Sequence, residues 1–251
     1  MRKQVFDTPP ELSLLYQDEH LVAIDKPSGL LVHRSEIDKR ETLFAIQLTR
    51  DLIGRHVFPV HRLDRPTSGV LLFALSPEVA RKTSELFLEG KICKTYLAMV
   101  RGYAPESLEI DYALKEILDK KSDKHAKKDK APQEAITLLK RLATSELPFP
   151  SGRYAQSRYS LVELTPKTGR KHQLRRHMAH IRHPIIADTN HGDGKQNAAA
   201  REILYLDRLA LVAKSLAFPH PVTGEPISIQ ANLDEALTRV FHQCGWQDWV
   251  F

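Results

Sequence analysis

Short apolar runs punctuated by polar turns open the chain. Leu14 to Tyr16 and Leu21 to Ile24 are separated by Gln17-Asp18-Glu19-His20, a spacing that predicts two strands joined by a polar turn. Lys26-Pro27-Ser28-Gly29 ends the second run. From Thr42, a predicted N-cap, Leu43, Ile46, Leu48, Leu52 and Ile53 recur at near-helical spacing until Gly54, which predicts a first helix. Val57 to Val60 leads into a loop spanning His61 to Gly69. Val70 to Leu75 then runs on without a polar interruption, as strands buried on both faces do. Ser76-Pro77-Glu78 supplies an N-cap, a first-turn proline and an acid that offsets the helix dipole, predicting a helix to about Gly90. Tyr96 to Val100 is the next predicted strand.

Further along, Ala135 to Leu142 and Tyr159 to Leu164 resume strand character. Lys171 to Ile181 reads as a helix with Leu174, Met178 and Ile181 on one face, so its basic residues are expected to point away from the core. Leu209 to Phe218 and Ile227 to Ile229 flank turn signals, and Asp234 is placed to cap a last helix running to about Gly245. Strands and helices interleave irregularly. The expectation is an α+β fold with a mixed sheet, not a regular doubly wound array.

One segment breaks the pattern. Lys115 to Lys130 holds seven lysines and four acids and few apolar residues, so 115–133 reads as an exposed insertion. The overall net charge is +6, but no acidic residue lies between Glu163 and Asp188, a stretch holding Lys167, Arg170, Lys171, Arg175, Arg176 and Arg182. A compact basic patch suits a phosphate-rich ligand, and equally a solvated face. No apolar run approaches the about 18 residues that cross a bilayer, and the N-terminus lacks a signal-peptide core, so a cytoplasmic location is expected. Cys93 and Cys244 are too few for a disulfide framework and read as reduced packing residues.

The loop before Val70 carries the chemistry best suited to a site. Asp64 is flanked by Arg62 and Arg65 and followed by Pro66 and Gly69, so a carboxylate there is held, not free. Neighbouring cations favour its ionised form, ready as nucleophile or base. By residue type alone the reading that comes first is a turn cap paired to its arginines. His172, His177, His180 and His183 raise a metal hydrolase as a rival, although no carboxylate accompanies them before Asp188 and no HExxH is present. A silent RNA-binding module is a second rival.

His61-Arg62-Leu63-Asp64-Arg65-Pro66-Thr67-Ser68-Gly69 resembles the HRLDxxTSG signature of the RluA-type pseudouridine synthases at every defined position. LVAIDKPSGLLVH from Leu21 to His33, Lys94-Thr95-Tyr96, Gly169 to Arg175, and His183 to Ile186 with Asp188 are similar to further elements of that family. Ala187 stands where the family often has Gly, and Leu211-Val212-Ala213 replaces a frequent LHA. Val32 to Ser35, His56-Val57-Phe58, the lysine-rich insertion and Arg175-Arg176-His177 resemble its TruC branch, the tRNA pseudouridine-65 synthases.

The resemblance implies a catalytic domain over 13–251 after a 1–12 extension, with no S4-like domain. Its fold would be a mixed, largely antiparallel central sheet with flanking helices. It implies an isomerase that breaks the N1 to C1′ bond of a flipped uridine and rejoins the base through C5. No net atom or electron changes hands, so no cofactor and no metal are expected. Asp64 would act at C1′ or at the 2′ position, with Arg175 as its partner and Tyr96 against the base, where it could help move the C5 proton. Arg62 would fill the space left by the uridine. His61, Arg65, Lys26, Lys94, Arg170, Lys171, His172 and Arg176 are candidate RNA contacts. The implied partner is tRNA, with no membrane and no obligate protein partner.

Overall fold

The computed structural model describes residues 6, 8–34, 41–117, 131–151 and 154–250. In chain order the elements are β1 (Ser13–Gln17), β2 (Leu21–Lys26), α1 (Ala45–Ile53), β3 (Phe58–Pro59), β4 (Ser68–Ala74), α2 (Pro77–Leu88), β5 (Cys93–Arg101) and β6 (Ser107–Asp111). They continue with β7 (Ile136–Leu147), β8 (Ser157–Pro166), α3 (Gln173–His180), α4 (Gly194–Ile203), β9 (Leu211–Pro219), β10 (Pro226–Gln230) and α5 (Glu235–Gln243). One sheet runs in the order β1-β2-β4-β9-β5-β8-β7-β6, with β3 added on β4 and β10 on β9. Every strand pairing is antiparallel except β4 with β9. The expected mixed, largely antiparallel α+β architecture is the one observed.

The apolar run of β4 is continuous because both of its faces are covered. Val70, Leu72 and Ala74 pack with Leu21 and Ala23 of β2, Val79 of α2 and Leu216 and Phe218 of β9. Leu71 and Phe73 face the other way, with Val22, Ile24, Leu30 and Ala45. A third cluster covers β5, β8, α3 and α5, taking in Met99, Leu161, Leu174, Met178 and Phe241. Period-2 alternation sorts each strand residue to one of these layers.

Several boundaries differ from the reading of the sequence, for identifiable reasons. The first helix begins at Ala45, not after Thr42; Phe44 occupies the cap position with no side-chain hydrogen bond. The amides of Ala45 and Ile46 donate instead to the carbonyls of Leu31 and Val32, a tertiary substitute for a cap. β6 and α4 carry no clear apolar period and were not anticipated; β6 buries only Ile110, and α4 starts on the Asp193 cap. Ser76 and Asp234 cap α2 and α5 as expected. Cys244 is buried but Cys93 is exposed, so only one cysteine is a packing residue. The lysine-rich run over 118–130 lies outside the described residues.

The topology sets up the site. β9 lies between β4 and β5, and Ala213 is in register with Gly69 on one side and Tyr96 on the other. Gly69 has φ +107°, and a β-carbon there would overlap the Ala213 carbonyl. The Asp64 loop, which runs directly into β4, is thereby separated from Tyr96 by one intervening strand.

Candidate active site

Backbone and side-chain hydrogen bonds fix the Asp64 loop. The carbonyl of Asp64 accepts from the Thr67 amide at 3.0 Å, closing the turn. The Arg65 carbonyl accepts from the Gly29 amide and from Lys26 Nζ, which also donates to the carbonyls of Pro27 and Leu30. Ser28 Oγ donates to the Pro66 carbonyl, and Arg208 donates to Ser68 Oγ at 2.9 Å. The loop is a fixed platform, and the side chain of Asp64 stands out from it.

Opposite it, α3 supplies the partner. The helix does bury Leu174 and Met178, but the expectation that its basic residues point away is wrong for Arg175, which is only 4% exposed. Arg175 donates through Nε and Nη2 to both oxygens of Asp188, at 2.7 and 2.8 Å, and through Nη1 to Asp64 at 3.2 Å. Burial alone would raise the Asp188 carboxyl. Arg175 and the amides of His191 and Asn190 outweigh it and hold the group below the usual carboxylate range. The bidentate fork leaves the guanidinium one free direction, and Asp64 lies along it.

The short segment before α3 is equally ordered. Gln173 is buried, donating to the carbonyl of Ile136 and to Thr137 while accepting from Thr168 Oγ1 and the Arg170 amide. His172 is left-handed, φ 54° and ψ 28°, and caps nothing. Its ring is turned toward Asp64, with Nε2 3.8 Å from Oδ2, and its Nδ1 meets His191 Nε2 at 2.9 Å. Burial, only partly offset by the Asp64 charge, lowers His172 to about 4. Ala187, at the position where a Gly was noted in relatives, also has positive φ (62°). That conformation explains why a glycine suits the position.

These groups surround a cavity of about 520 Å³ lined by His61, Asp64, Lys94, Tyr96, His172 and Arg175 among others. Tyr96 packs against two of the core clusters. Burial and then the Asp64 charge push its hydroxyl well above its ordinary value. Arg62, Arg170 and Lys167 lie on the rim, with Phe87 and the exposed Leu88 opposite in chemical character.

The remaining candidates sort by where their polar atoms are used. Lys26 is corrected as an RNA contact: it is fully buried, and its ammonium is spent on three carbonyls. Burial, reinforced by Arg208, lowers it to about 7. His61 lines the cavity, but its Nε2 accepts from the Leu72 amide and its ring stacks on Phe87. Burial, then Lys94, lowers it to about 3, so the ring is neutral. Arg65 turns inward to the Gly29 carbonyl and to Glu41 at 2.8 Å. Lys94 reaches the Thr168 carbonyl, Arg170 that of Glu134, Lys171 that of Ile117 and Arg176 that of Lys115. Lys94 and Arg170 also line the cavity, whereas Lys171 and Arg176 hold the chain that leads into the insertion. The histidines weighed as metal ligands do not converge. His177 bonds Thr137 and the Tyr112 carbonyl, His180 stacks on Tyr112, and His183 bonds the Arg101 carbonyl.

Two residues of the site were not singled out beforehand. Asp188 was quoted only as part of a motif, yet it is what fixes Arg175. His191 had no signal at all, because its role depends on meeting His172 across a turn.

A sheet of this topology, with a carboxylate on a tied loop facing a buried arginine and a tyrosine, defines a class. The model of the RNA pseudouridylate synthase family matches residues 20–180, and the chain belongs to that family. Within it, the chain is 54% identical over 237 residues to tRNA pseudouridine synthase C of Vibrio cholerae, covering 94% of this chain and 97% of that one. It is 57% identical over 236 residues to the protein of the same name from Haemophilus ducreyi, with coverage of 94% and 97%. Among solved structures, the human RNA pseudouridylate synthase domain containing 4 protein superimposes with a TM-score of 0.69 at 26% identity, covering 92% of each chain.

Proposed function

We propose that this chain converts one uridine of tRNA to pseudouridine, at position 65 in the acceptor and T-stem region, and does so in the cytoplasm without a cofactor or an obligate protein partner. The observation that carries the reading is the Asp64–Arg175–Asp188 chain at the wall of a cavity that also holds Tyr96. Support for tRNA comes from the names of relatives more than 50% identical along nearly their whole length. Support for position 65 comes from the resemblance to the TruC branch. Among the described residues no helix is long and apolar enough to cross a membrane.

The chemistry assigned to each group follows from its setting. Arg175, held by Asp188, donates to Asp64 and aims it at the sugar, where it attacks C1′ or takes a 2′ proton. The Tyr96 ring supports the flipped uracil. Arg62 enters the vacated stack, since a guanidinium both stacks on bases and donates to phosphate. Arg170, Lys171, Arg176 and Lys94 hold the backbone around the entrance, with His172 against the substrate itself.

Site-resolved pseudouridine mapping of total RNA, with and without the gene, tests the proposal. The expected result is loss of a single tRNA modification at position 65. A signal lost from ribosomal RNA instead would overturn the substrate assignment.

A further inference from the structure

The groups assigned to the reaction come from two halves of the sheet. Asp64 stands on the loop that enters β4, whereas Tyr96 lies on β5 and Arg175 on α3, which follows β8. In the strand order β4 belongs with β1 and β2, β5 belongs with β8, β7 and β6, and β9 joins the two sets. The ladders on either side of the join are long. β2 pairs with β4 from Leu21 and Ala74 to Lys26 and Gly69, and β5 pairs with β9 from Cys93 and Ala217 to Ala98 and Leu211. The join itself is short: Ser68 with Val212 and Gly69 with Ala213. Lys26, Ser28 and Gly29 tie the Asp64 loop to residues beside β2, so they hold it within its own half. Side chains also pack across the seam, Leu72 with Leu216 and Phe218 among them, but such packing is non-directional and fixes no register.

Arg208, buried in the segment between α4 and β9, lies across that seam. Its Nη2 donates to Ser68 Oγ at 2.9 Å and to the Leu211 carbonyl at 3.2 Å. Nε and Nη2 share the carbonyl of Leu209, at 3.1 and 3.0 Å. Ser68 is the first residue of β4, four after Asp64; Leu211 is the first residue of β9 and lines the cavity. Nη1 is taken by the carboxylate of Asp234, which also accepts the Leu237 amide at the start of α5. That helix packs through Leu237, Val240 and Phe241 into the cluster holding Met99 of β5 and Leu161 of β8. The guanidinium is therefore anchored on the half that carries Tyr96 and Arg175, and it grips the strand that follows Asp64.

We propose that Arg208 is a positioning residue for the reaction: through Ser68 and Leu211 it sets the approach of β4 to β9, and with it the reach of Arg175 to Asp64. The bond from Arg175 Nη1 to Asp64 is 3.2 Å long, at the outer edge of the normal range, so a small slip of the loop breaks it. Misplacing a reacting group by about 1 Å can cost about 100-fold in rate. Pairing with Asp234 is all that neutralising a buried cation requires. The bonds to Ser68 and Leu211 add direction, and a planar fork donates in several fixed directions at once, which a lysine ammonium on a flexible stem does not.

Because this role rests on the functional reading above, the parent is assayed first, and a parent chain that leaves tRNA uridine unmodified sinks both. Single-turnover rates at saturating tRNA, tRNA dissociation constants and melting curves are then compared for Ser68→Ala, Arg208→Lys and the double variant. Ser68→Ala keeps Arg208 on its Asp234 anchor and removes only the side-chain bond across the seam. It is expected to slow the saturating rate by about tenfold, the worth of one hydrogen bond. Arg208→Lys is expected to slow it by about 100-fold, with tRNA affinity within about twofold of the parent for both. The double variant should be no slower than Arg208→Lys, since both changes act through one contact. A purely stabilising role would lower the melting temperatures and leave the folded variants at the parent's saturating rate; that result overturns the proposal. A loss confined to tRNA affinity, or a double variant whose losses multiply, overturns it as well. If Arg208→Lys does not fold, Ser68→Ala decides alone.

Discussion

At the residue scale, the site rests on a buried carboxylate, Asp188, as well as on the one in the cavity. Asp188 is 1% exposed and Arg175 4%, so removing the anion leaves a desolvated cation with Asp64 as its remaining acidic partner. Breaking a buried pair from one side costs about 3 kcal/mol, so Asp188→Asn is expected to lower stability by that order and to impair turnover as Arg175 loses its aim. Because the folded pKa of Asp188 is depressed, the pair's contribution is present in full above the unfolded value of about 4 and is lost as pH falls through the folded one. The gap in melting temperature between parent and variant should therefore be constant from pH 8 to 5 and shrink in more acidic buffer. A gap that widens on acidification would contradict this. Asp64→Asn is the complementary case. Arg175 keeps both Asp188 contacts, so the loss in stability should stay under about 1 kcal/mol, while pseudouridine formation falls to background and RNA affinity is largely retained. Melting, filter binding and modification assays on one preparation decide it.

At the element scale, the site depends on how closely β4 and β9 approach. Their parallel pairing spans Ser68 with Val212 and Gly69 with Ala213, and it is what carries the Asp64 loop toward Tyr96. Gly69→Ala adds a β-carbon on the Ala213 carbonyl at a φ that side chains rarely adopt. Backbone has to move, and the expected outcome is a loss of several kcal/mol, read as a lower urea midpoint together with lost activity. A variant that melts within a degree of the parent would show that this contact is softer than the geometry says. Much at this scale was legible from the chain. β2, β4 and α2 announced themselves through apolar runs, a proline at a helix start and a serine cap. α1 did not begin where its side chains suggested, because the amides of Ala45 and Ile46 are satisfied by a distant loop and not by a local hydroxyl.

At the scale of the whole molecule, the proposed grip on RNA falls to the cations around the cavity mouth. Each phosphate contact releases a counterion, so binding should weaken with salt along a log–log line whose slope counts those contacts. Arg170→Ala, on the exposed rim, is expected to flatten that slope by about 1, whereas a substitution at Lys26 should leave it unchanged in any folded variant. An Arg170→Ala slope equal to the parent's would remove this residue from the RNA surface. Deleting 118–130, whose flanks Ile117 and Lys115 are held by Lys171 and Arg176, should also flatten it. Turnover is expected to survive EDTA once the RNA is refolded, since the isomerisation needs no Lewis acid when a positioned carboxylate does the work. Loss of activity restored by a divalent ion through the protein would overturn that.

By itself the chain determined what is encoded locally. Alternation set which strand faces are buried, proline, glycine and capping residues set most element ends, and a dense run of motif residues around Asp64 pointed to the site and its class. What only the tertiary structure decided are the pairings between residues far apart in sequence. Lys26, Arg65 and His61 had the composition of RNA contacts, but they are consumed in tying the loop, because buried carbonyls and amides must be satisfied before any ligand is. By helix periodicity alone Arg175 read as a solvated cation, and only the family resemblance made it the partner of Asp64; its burial was decided by Asp188, which meets it after a turn. His191 reaches His172 only through that same turn. No periodicity records such meetings, since they depend on distance in space and not on spacing along the chain.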